Sequence, residues 1–388
     1  MASLDISIGG LRLSSPILLG SATPTWDGEH SSKGFHCGAG ASVIKTIAPG
    51  EEPYHHPQNG RFVVLKHGNV PYGMINVEIF STFRESEWTG RELFLAKEGG
   101  AKIIASTLAA EDPEESAALI RRVEATGCAD AIELNNSCPM HVDMNDFNIV
   151  PMTVEQTSAA RNATKLPLLV KFPSTVTSLN HALKAAEACG ADAVVISNSM
   201  SGFAGVDIET GLPRIGTMGG YSGAAIKPLI EARMIGAAQS VQIPIIAVGG
   251  VNSWEDVVEY IMLGATAVQV VSAVMWQGYD IVDQWNQNIL AFMEAHGYET
   301  IDDMRGIALP HIGSYDSILN GEKRTARIDP AVCRGCGKCI RTCFYDAISM
   351  PDASNGSNTS AKATVNPEKC DGCGLCTQLC PFGAVKLV

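Results

Sequence analysis

The sequence predicts an α/β protein, a (β/α)8 barrel followed by a small cysteine-rich domain. Two observations lead to this fold class. Short apolar runs of strand length alternate with helix-like stretches over residues 1 to about 305. Eight of the twelve cysteines lie between residues 333 and 380. The chain has 388 residues, of which 46% are hydrophobic, and this is enough for a large core plus an appended domain.

Eight apolar runs are typical of buried parallel strands. Several follow a glycine–alanine turn of the kind that ends a helix before a strand, as at Gly100-Ala101 and Gly264-Ala265. Eight strands with intervening helices predict a barrel. A doubly wound sheet is the alternative, but the GxGxxG turn that would follow its first strand is absent. The runs are ILLG (17–20), SVIKT (42–46), KIIAS (102–106), AIELN (131–135), PLLVK (167–171), AVVIS (193–197), PIIAV (244–248) and AVQVV (267–271).

The same pattern gives the expected domain limits. The barrel is predicted over residues 1–305, a connector over 306–327, and the small domain over 328–388. Within the small domain, the polar segment PDASNGSNTSAK separates two cysteine runs and is expected to be an exposed loop.

Composition narrows the class of protein. The net charge is −13 and charged residues make up only 18% of the chain, which disfavours non-specific binding to nucleic acid or to anionic membranes. The segment MASLDISIGG lacks the features of a signal peptide, and no apolar run reaches membrane-spanning length. The cytoplasm is therefore the expected location.

The clustered cysteines indicate iron–sulfur ligation. Two runs have the bacterial two-cluster spacing C-x2-C-x2-C-x3-C, in which the fourth cysteine of each run ligates the other [4Fe–4S] cluster. Zinc sites also use CxxC pairs, but zinc does not need four cysteines per run, twice, in this order. One predicted ligand set is Cys333, Cys336, Cys339 and Cys380, and the other is Cys343, Cys370, Cys373 and Cys376.

Polar residues gather where the predicted barrel strands end. Taken singly, each could be a capping or turn residue. Together they indicate a site at the rim formed by the carboxyl ends of the strands. Gly249-Gly250 and the segment around Ser272 could present backbone N–H groups to a phosphate, as could residues 219–223. The strand-end residues are Ser21, Lys45, Thr46, Asn135, Lys171, Ser197, Asn198 and Ser272.

The chain resembles the FMN barrels of dihydroorotate and dihydropyrimidine dehydrogenases. The resemblance is carried, in this order, by LGSATP, VIKT, INVE, ELNNSCP, LLVKFPSTVT, ISNSMSG, GGYSGAAIKP, AVGG and VQVVSAV. With the two cysteine runs added, the chain looks most like the C-terminal half of dihydropyrimidine dehydrogenase, or the stand-alone bacterial subunit equivalent to that half.

The resemblance implies a role for each site residue. FMN-contacting positions fall on Ser21, Lys45, Thr46, Lys171, Gly223, Gly249, Gly250 and Ser272, and substrate-ring positions on Asn76, Asn135, Ser137, Asn198 and Ser199. Asparagine amides suit a cyclic imide because they both donate and accept. A lysine at the flavin N1/O2 edge stabilises the anionic reduced ring, and Lys171 is the candidate.

Cys138 falls on the family's catalytic acid/base position. The resemblance implies that it protonates one carbon of a C=C bond conjugated to a carbonyl, while the other carbon receives a hydride from FMN. A buried structural thiol is the alternative interpretation of this residue, and it applies more strongly to Cys37, Cys128 and Cys189.

Substrate and partners are expected from the same resemblance. Uracil or thymine is the first candidate substrate. Asn136 and Met140 depart from the family pattern near Cys138, so another unsaturated cyclic amide or carbonyl compound stays open, as do dihydroorotate and a purely electron-transferring role. No NAD(P)H- or FAD-binding domain is visible, which predicts a redox partner subunit or a soluble electron carrier, and a homodimer or heteromer is compatible with this.

Overall fold

A computed structural model describes residues 2–58, 60–136, 149–174, 176–319, 321–350 and 361–388. The chain divides into two units, Met1–His311 and Ile312–Val388. The predicted connector, 306–327, spans this division.

Eight strands of the first unit form a closed parallel barrel, as predicted. Each apolar run named above contains one barrel strand or coincides with it to within three residues at its ends. The strands of the first unit are β1 (Ile6–Ile8), β2 (Leu11–Leu13), β3 (Ile17–Leu19), β4 (Ala41–Val43), β5 (Phe62–His67), β6 (Val70–Asn76), β7 (Ile103–Leu108), β8 (Ala131–Asn135), β9 (Leu168–Phe172), β10 (Ala193–Ile196), β11 (Met200–Gly202), β12 (Gly219–Ser222), β13 (Ile245–Val248) and β14 (Ala267–Val270).

The barrel closes between its first and last strands. In chain order it consists of β3, β4, β7, β8, β9, β10, β13 and β14, each paired in parallel with the next. Val268 of β14 pairs with Ile17 of β3, which completes the ring. The strands are almost fully buried because side chains fill the interior on one face and helices cover the other.

Helices follow most barrel strands, and two of them, α1 and α4, begin at an aspartate cap. The Asp27 carboxylate accepts a hydrogen bond from the His30 N–H at 2.7 Å where α1 begins, and Asp112 does the same for Glu114 at 3.0 Å where α4 begins. The helices of the first unit are α1 (Gly28–His36), α2 (Glu85–Glu87), α3 (Leu93–Ala96), α4 (Pro113–Ala125), α5 (Ile149–Ala163), α6 (Leu179–Ala188), α7 (Lys227–Ala238), α8 (Trp254–Met262), α9 (Ser272–Gln277), α10 (Ile281–His296) and α11 (Ile301–Met304).

A short hairpin covers the amino-terminal ends of two barrel strands. Strands β1 and β2 pair antiparallel, and Ile6, Ile8 and Leu13 are buried. The turn at Gly9 approaches Pro167 and Asp192, the residues that precede β9 and β10. The hairpin therefore lies on the opposite end of the barrel from the polar rim.

A four-stranded antiparallel sheet, in the order β11-β12-β6-β5, was not predicted from the sequence. It joins the segment after β4 to the segment after β10, since Gly220 of β12 pairs with Asn76 of β6. These strands are mostly half-exposed, and their apolar content is too irregular to show a clear period of two. The sheet places Asn76 and Ser222 above the carboxyl ends of the barrel strands.

The second unit is a small domain with two antiparallel pairs of short strands and three short helices in its described residues. Its elements are α12 (Tyr315–Leu319), β15 (Ala326–Ile328), α13 (Lys338–Arg341), β16 (Ile348–Ser349), β17 (Thr364–Val365), α14 (Leu375–Leu379) and β18 (Val385–Leu387). Strand β15 pairs with β18, and β16 pairs with β17. The core consists of small apolar residues such as Ala326, Ala347 and Ala384 together with buried cysteines.

None of the helices in the described ranges is long and apolar enough to cross a membrane.

Replacing Phe172 by alanine is expected to destabilise the barrel by about 3–5 kcal/mol, because the side chain is fully buried on β9 and its removal leaves a cavity. Urea unfolding followed by far-UV circular dichroism measures the change. Phe94→Ala is the matched control: Phe94 is 50% exposed, so its loss should cost less than about 0.5 kcal/mol. Equal effects of the two substitutions would contradict the burial assigned to Phe172.

Candidate active site

One cavity at the carboxyl-terminal rim of the barrel brings the predicted site residues together. All eight positions predicted to contact FMN and four of the five predicted substrate-ring residues line it. Ser137 and Cys138, like Met140, lie outside the described residues. The lining residues from the prediction are Ser21, Lys45, Thr46, Asn76, Asn135, Lys171, Asn198, Ser199, Gly223, Gly249, Gly250 and Ser272.

Hydroxyl groups form a hydrogen-bonded row across the floor of this cavity. Ser21 Oγ and Thr46 Oγ1 are 3.1 Å apart, and Thr46 Oγ1 and Ser106 Oγ are 3.0 Å apart. Asn135 Nδ2 donates to Thr46 Oγ1 at 3.1 Å. The row links β3, β4, β7 and β8 at or near their carboxyl ends, so residues predicted to contact FMN and a residue predicted to hold the substrate share one network.

The row continues to a buried carboxylate inside the barrel. Ser106 Oγ donates to Glu133 Oε1 at 3.1 Å, and Gln269 Nε2 donates to Glu133 Oε2 at 2.6 Å. The Lys171 ammonium lies 3.5 Å from Glu133 Oε1 and 3.5 Å from Gln269 Oε1. Glu133 and Gln269 were missed from the sequence. Each could have been recognised as a polar residue in the middle of an apolar strand, in AIELN and AVQVV. Each also lies two positions from another residue that faces the barrel interior.

A second charged group, Glu78, stands at the side of the cavity. Its carboxylate accepts hydrogen bonds from Lys45 at 3.0 Å, Arg61 at 2.8 Å and Thr23 at 2.7 Å. Burial alone would raise the pKa of the Glu78 carboxyl, but Lys45 and these hydrogen bonds outweigh it and lower the pKa below its ordinary value. Burial lowers the pKa of the Lys45 ammonium, and Glu78 offsets this only in part. Glu78 lies in the INVE string but was not predicted as a site residue.

A neighbouring cavity shares Thr23, Lys45 and Glu78 with the first. Its other walls include Trp26, His56 and Arg61. Burial lowers the pKa of the His56 imidazole more than Glu78, 3.7 Å away, raises it. The Glu78 carboxylate therefore lines both cavities, and its negative charge is compensated by the Lys45 and Arg61 cations.

Two glycines after β13 let the backbone approach a ligand closely. Gly249 has φ +121° and Gly250 has φ +80°, a region that favours glycine. A Cβ atom at Gly250 would lie 2.5 Å from Lys227 Cα. The buried Tyr260 hydroxyl donates to the Gly249 carbonyl oxygen at 2.7 Å and supports the turn. This cradle, with Ser272 beside it, fits the phosphate of FMN.

The asparagines on the opposite side of the cavity are held by their own neighbourhood. Asn76 Nδ2 donates to the Gly220 carbonyl at 3.1 Å, and Asn76 Oδ1 accepts the Glu78 N–H at 3.2 Å. Asn198 Oδ1 accepts the Ser199 N–H at 2.8 Å. The Asn76 amide has a second N–H and a second lone pair beyond these two bonds, and a ring with alternating donors and acceptors can bind to them.

In the second unit, the eight cysteines surround two cavities. One is lined by Cys333, Cys336, Cys339 and Cys380, and the other by Cys343, Cys370, Cys373 and Cys376. Three cysteines of each set come from one run and the fourth from the other run, as the spacing predicted.

Backbone N–H groups point at the cysteine sulfurs in a repeated pattern. Ala347 N–H donates to Cys343 Sγ at 3.4 Å, and Ala384 N–H donates to Cys380 Sγ at 3.3 Å. In both cases the donor lies four residues after the last cysteine of a run. Such bonds stabilise negative charge on sulfur and tune the potential of a bound cluster. The donor set, all thiolate sulfur with N–H support, fits two [4Fe–4S] clusters.

The fold and these cavities define a class: flavin- and iron–sulfur-dependent oxidoreductases built on a parallel barrel. Residues 3–293 match the dihydroorotate dehydrogenase family, and residues 332–384 match the 4Fe-4S dicluster domain. The chain belongs to the dihydroorotate dehydrogenase family, whose members bind FMN and act on CH–CH bonds, and it carries two [4Fe–4S] clusters.

Relatives support the same placement. The chain is 31% identical over 314 residues to the catalytic subunit of dihydroorotate dehydrogenase B (NAD(+)) from Pyrococcus horikoshii, covering 79% of this chain and 98% of that protein. It is 28% identical over 354 residues to the NAD-dependent dihydropyrimidine dehydrogenase subunit PreA from Escherichia coli K12, covering 88% and 85%. A crystal structure of dihydroorotate dehydrogenase from Eimeria tenella with ferulenol superimposes with a TM-score of 0.66 at 18% identity, covering 80% of this chain and 89% of that chain, and supports the fold.

Gly250→Ala is expected to weaken FMN binding by at least about tenfold, because the added methyl group collides with Lys227 and displaces the cradle. Fluorescence titration of the FMN-depleted protein measures the dissociation constant. Gly10→Ala is the matched control: its φ of +88° imposes similar strain, but nothing lies within 4 Å and it is remote from the cavity. Weakened FMN binding in both variants would mean that backbone strain alone, and not the cradle, is responsible.

Cys380→Ser is expected to remove or alter the cluster that also uses Cys333, and to leave the other cluster intact, so that the protein loses about half of its iron. Iron and sulfide analysis with EPR of the reduced protein measures this. Cys37→Ser serves as the control, since Cys37 lies on the barrel after α1. If Cys380→Ser and Cys370→Ser removed the same EPR signal, the two runs would not exchange their fourth ligands.

Proposed function

We propose that the protein interconverts a pyrimidine and its 5,6-dihydro form, with uracil or thymine as the substrate, and exchanges the electrons with a redox partner through its two clusters. The observation that carries the proposal is the pairing of charges around the cavity, which favours a neutral substrate ring.

Two lysines line the described part of the cavity, and each already has a carboxylate partner. Lys45 Nζ lies 3.0 Å from Glu78, and Lys171 Nζ lies 3.5 Å from Glu133. A substrate carboxylate would therefore approach the Glu78 charge, and the two cations beside it, Lys45 and Arg61, are both already bonded to Glu78. The segment 137–148, SCPMHVDMNDFN, contains no lysine or arginine that could supply a further cation. Uracil and thymine carry no carboxylate.

The extent of similarity supports the same choice. The match to E. coli PreA covers 88% of this chain. This is more residues than the 311 of the first unit, so the match extends into the cluster domain. The match to the P. horikoshii dihydroorotate dehydrogenase subunit covers 79%. The name of the E. coli protein describes a dihydropyrimidine dehydrogenase subunit that depends on NAD.

In the proposed mechanism, the chain orients the ring and moves one proton. The amides of Asn76, Asn135 and Asn198 bind the imide edge, with Ser137 and Ser199 beside them. FMN, when bound, supplies the hydride to one carbon of the C=C bond or takes it back. Cys138 donates a proton to the neighbouring carbon in the reductive direction and accepts it in the oxidative direction. In the reductive direction the ring gains one hydride, which carries two electrons and one proton, and one further proton from the thiol, so two electrons and two protons are transferred in each turnover.

Other residues of the chain hold the cofactor in this proposal. Gly223, Gly249, Gly250 and Ser272 would surround the phosphate, and Ser21, Lys45 and Thr46 would lie along the ring system. Lys171 would stabilise negative charge on the reduced ring. Electrons would then reach a partner that carries NAD(P)H or FAD, or a small soluble carrier, by way of the cysteine-ligated clusters.

Dihydroorotate is the second candidate substrate. The observation that favours it is the identity of the barrel to dihydroorotate dehydrogenase B catalytic subunits, which reaches 36% over 274 residues for Methanocella arvoryzae. This candidate requires a cation for the carboxylate at position 6 of the ring, and the paired lysines argue against it.

Turnover separates the candidates. Dithionite-reduced protein is mixed anaerobically with uracil, thymine or orotate, and reoxidation of the flavin band is followed. We expect reoxidation with uracil or thymine and at least about a hundredfold slower reoxidation with orotate, equivalent to about 2.7 kcal/mol of discrimination. Faster reoxidation with orotate would replace the proposal by its alternative.

Cys138→Ala should lower the rate of the same reaction by about 10²–10⁴-fold while FMN remains bound, because a general acid is lost and the cofactor contacts are not. Cys189→Ala, which removes a partly buried thiol after α6, should leave the rate unchanged. Full turnover in Cys138→Ala would remove this residue from the mechanism.

A further inference from the structure

A buried carboxylate in the barrel interior has no part in the mechanism above. Glu133 lies in the middle of β8 and is 0% exposed. It does not line the cavity, whereas Lys171 and Gln269 on neighbouring inward positions do. A carboxylate in such a place is strongly unfavourable unless its charge is compensated and its oxygens are hydrogen-bonded.

The contacts of Glu133 converge on the Lys171 ammonium. Glu133 Oε1 lies 3.5 Å from Lys171 Nζ and accepts from Ser106 Oγ at 3.1 Å. Glu133 Oε2 accepts from Gln269 Nε2 at 2.6 Å, which turns Gln269 Oε1 toward the same Nζ at 3.5 Å. Two oxygens, one charged and one neutral, thus hold a lysine that is itself only 4% exposed.

Other described charges at the cavity are already engaged with one another. Lys45 and Glu78 form a separate pair at 3.0 Å. Glu133 is therefore the counter-ion of Lys171, and the hydroxyl and amide partners fix its direction.

We propose that Glu133 is a positioning residue that holds the Lys171 ammonium in place and aimed into the cavity, and that it sets the reduction potential of FMN through Lys171. The inference rests on the placement of Lys171 beside FMN in the proposed function. Glu133 itself touches neither cofactor nor substrate.

The direction in which the FMN reduction potential changes when Glu133 is removed distinguishes this positioning role from a direct electrostatic effect of Glu133 on FMN. Without Glu133, the Lys171 ammonium loses the charged oxygen that holds it in place and no longer lies against the anionic reduced ring, so the potential falls. If Glu133 acted directly on FMN through space, removal of its negative charge would favour the reduced anion and the potential would rise.

The experiment is a double-mutant cycle in the full chain with Glu133→Gln, Lys171→Met and the double variant. The two-electron midpoint potential of FMN is measured by anaerobic potentiometric titration, with FMN-depleted protein as the blank for the clusters. The FMN dissociation constant is measured in parallel. Glu92→Gln is the matched control, because Glu92 is also a buried carboxylate, 2% exposed, but is bonded to the Gly28 N–H and to Arg91 away from the cavity.

We expect Glu133→Gln to lower the potential in the same direction as Lys171→Met, and to weaken FMN binding by about tenfold, as the loss of one charge-assisted contact implies. In the Lys171→Met background, Glu133→Gln should lower neither quantity further. Glu92→Gln should change neither. If Glu133→Gln does not fold, Glu133→Asp takes its place, since it withdraws the carboxylate from Lys171 and should also lower the potential.

A rise in potential, no change, or an equal fall in both backgrounds would overturn the role of Glu133 and leave the proposed function intact. If Lys171→Met alters neither the potential nor FMN binding, the placement of Lys171 beside FMN fails, and the inference about Glu133 fails with it. Turnover with uracil or thymine is scored separately and decides only the substrate.

Discussion

Closing eight parallel strands into a barrel constrains where polar groups can lie. The closed barrel has no free strand edge, and because its eight strands are parallel, their carboxyl ends all lie at one rim. Inward-facing side chains from neighbouring strands therefore come within hydrogen-bonding distance of one another. Ser21, Thr46, Ser106 and Glu133 come from four successive strands and form one continuous row as a result. The cavity lies at the end of this row where Ser21 and Thr46 are found. Its residues are far apart in the chain and adjacent only because the sheet closes.

Charge compensation is the second constraint on the site. In a region of low polarity, a lone lysine or glutamate is too costly to keep ionised, and the cavity solves this with pairs. Lys45 is matched by Glu78, and Lys171 by Glu133, with neutral hydroxyls and amides completing the remaining bonds. A site of this kind can place a cation beside an anionic cofactor ring without offering one to a charged substrate. In the proposed function, the same pairs bear on both cofactor chemistry and substrate choice.

The second unit depends on a different balance. Its apolar core is small: of the nine buried residues in the described part of this unit, four are alanines and three are cysteines. Each cavity takes three cysteines from one run and a fourth from the other, so the two halves are tied together wherever clusters bind. Cluster ligation then contributes to folding as well as to electron transfer, as in other small metal-binding domains. Backbone N–H groups from equivalent positions in the two halves point at the sulfurs.

The sequence by itself determined the barrel, the cluster domain and twelve residues of the cavity lining, because buried parallel strands are apolar in short runs and cluster ligands follow a fixed spacing. The residues that end a strand, such as Lys45 or Asn135, were predictable since the rim is where strands end. The antiparallel sheet was decided only by tertiary structure, since its half-exposed strands carry no clear period. Glu78 and Glu133 were likewise decided there: a single glutamate in a chain says nothing of the lysine that will pair with it, and that pairing arises from distances that only the closed barrel sets.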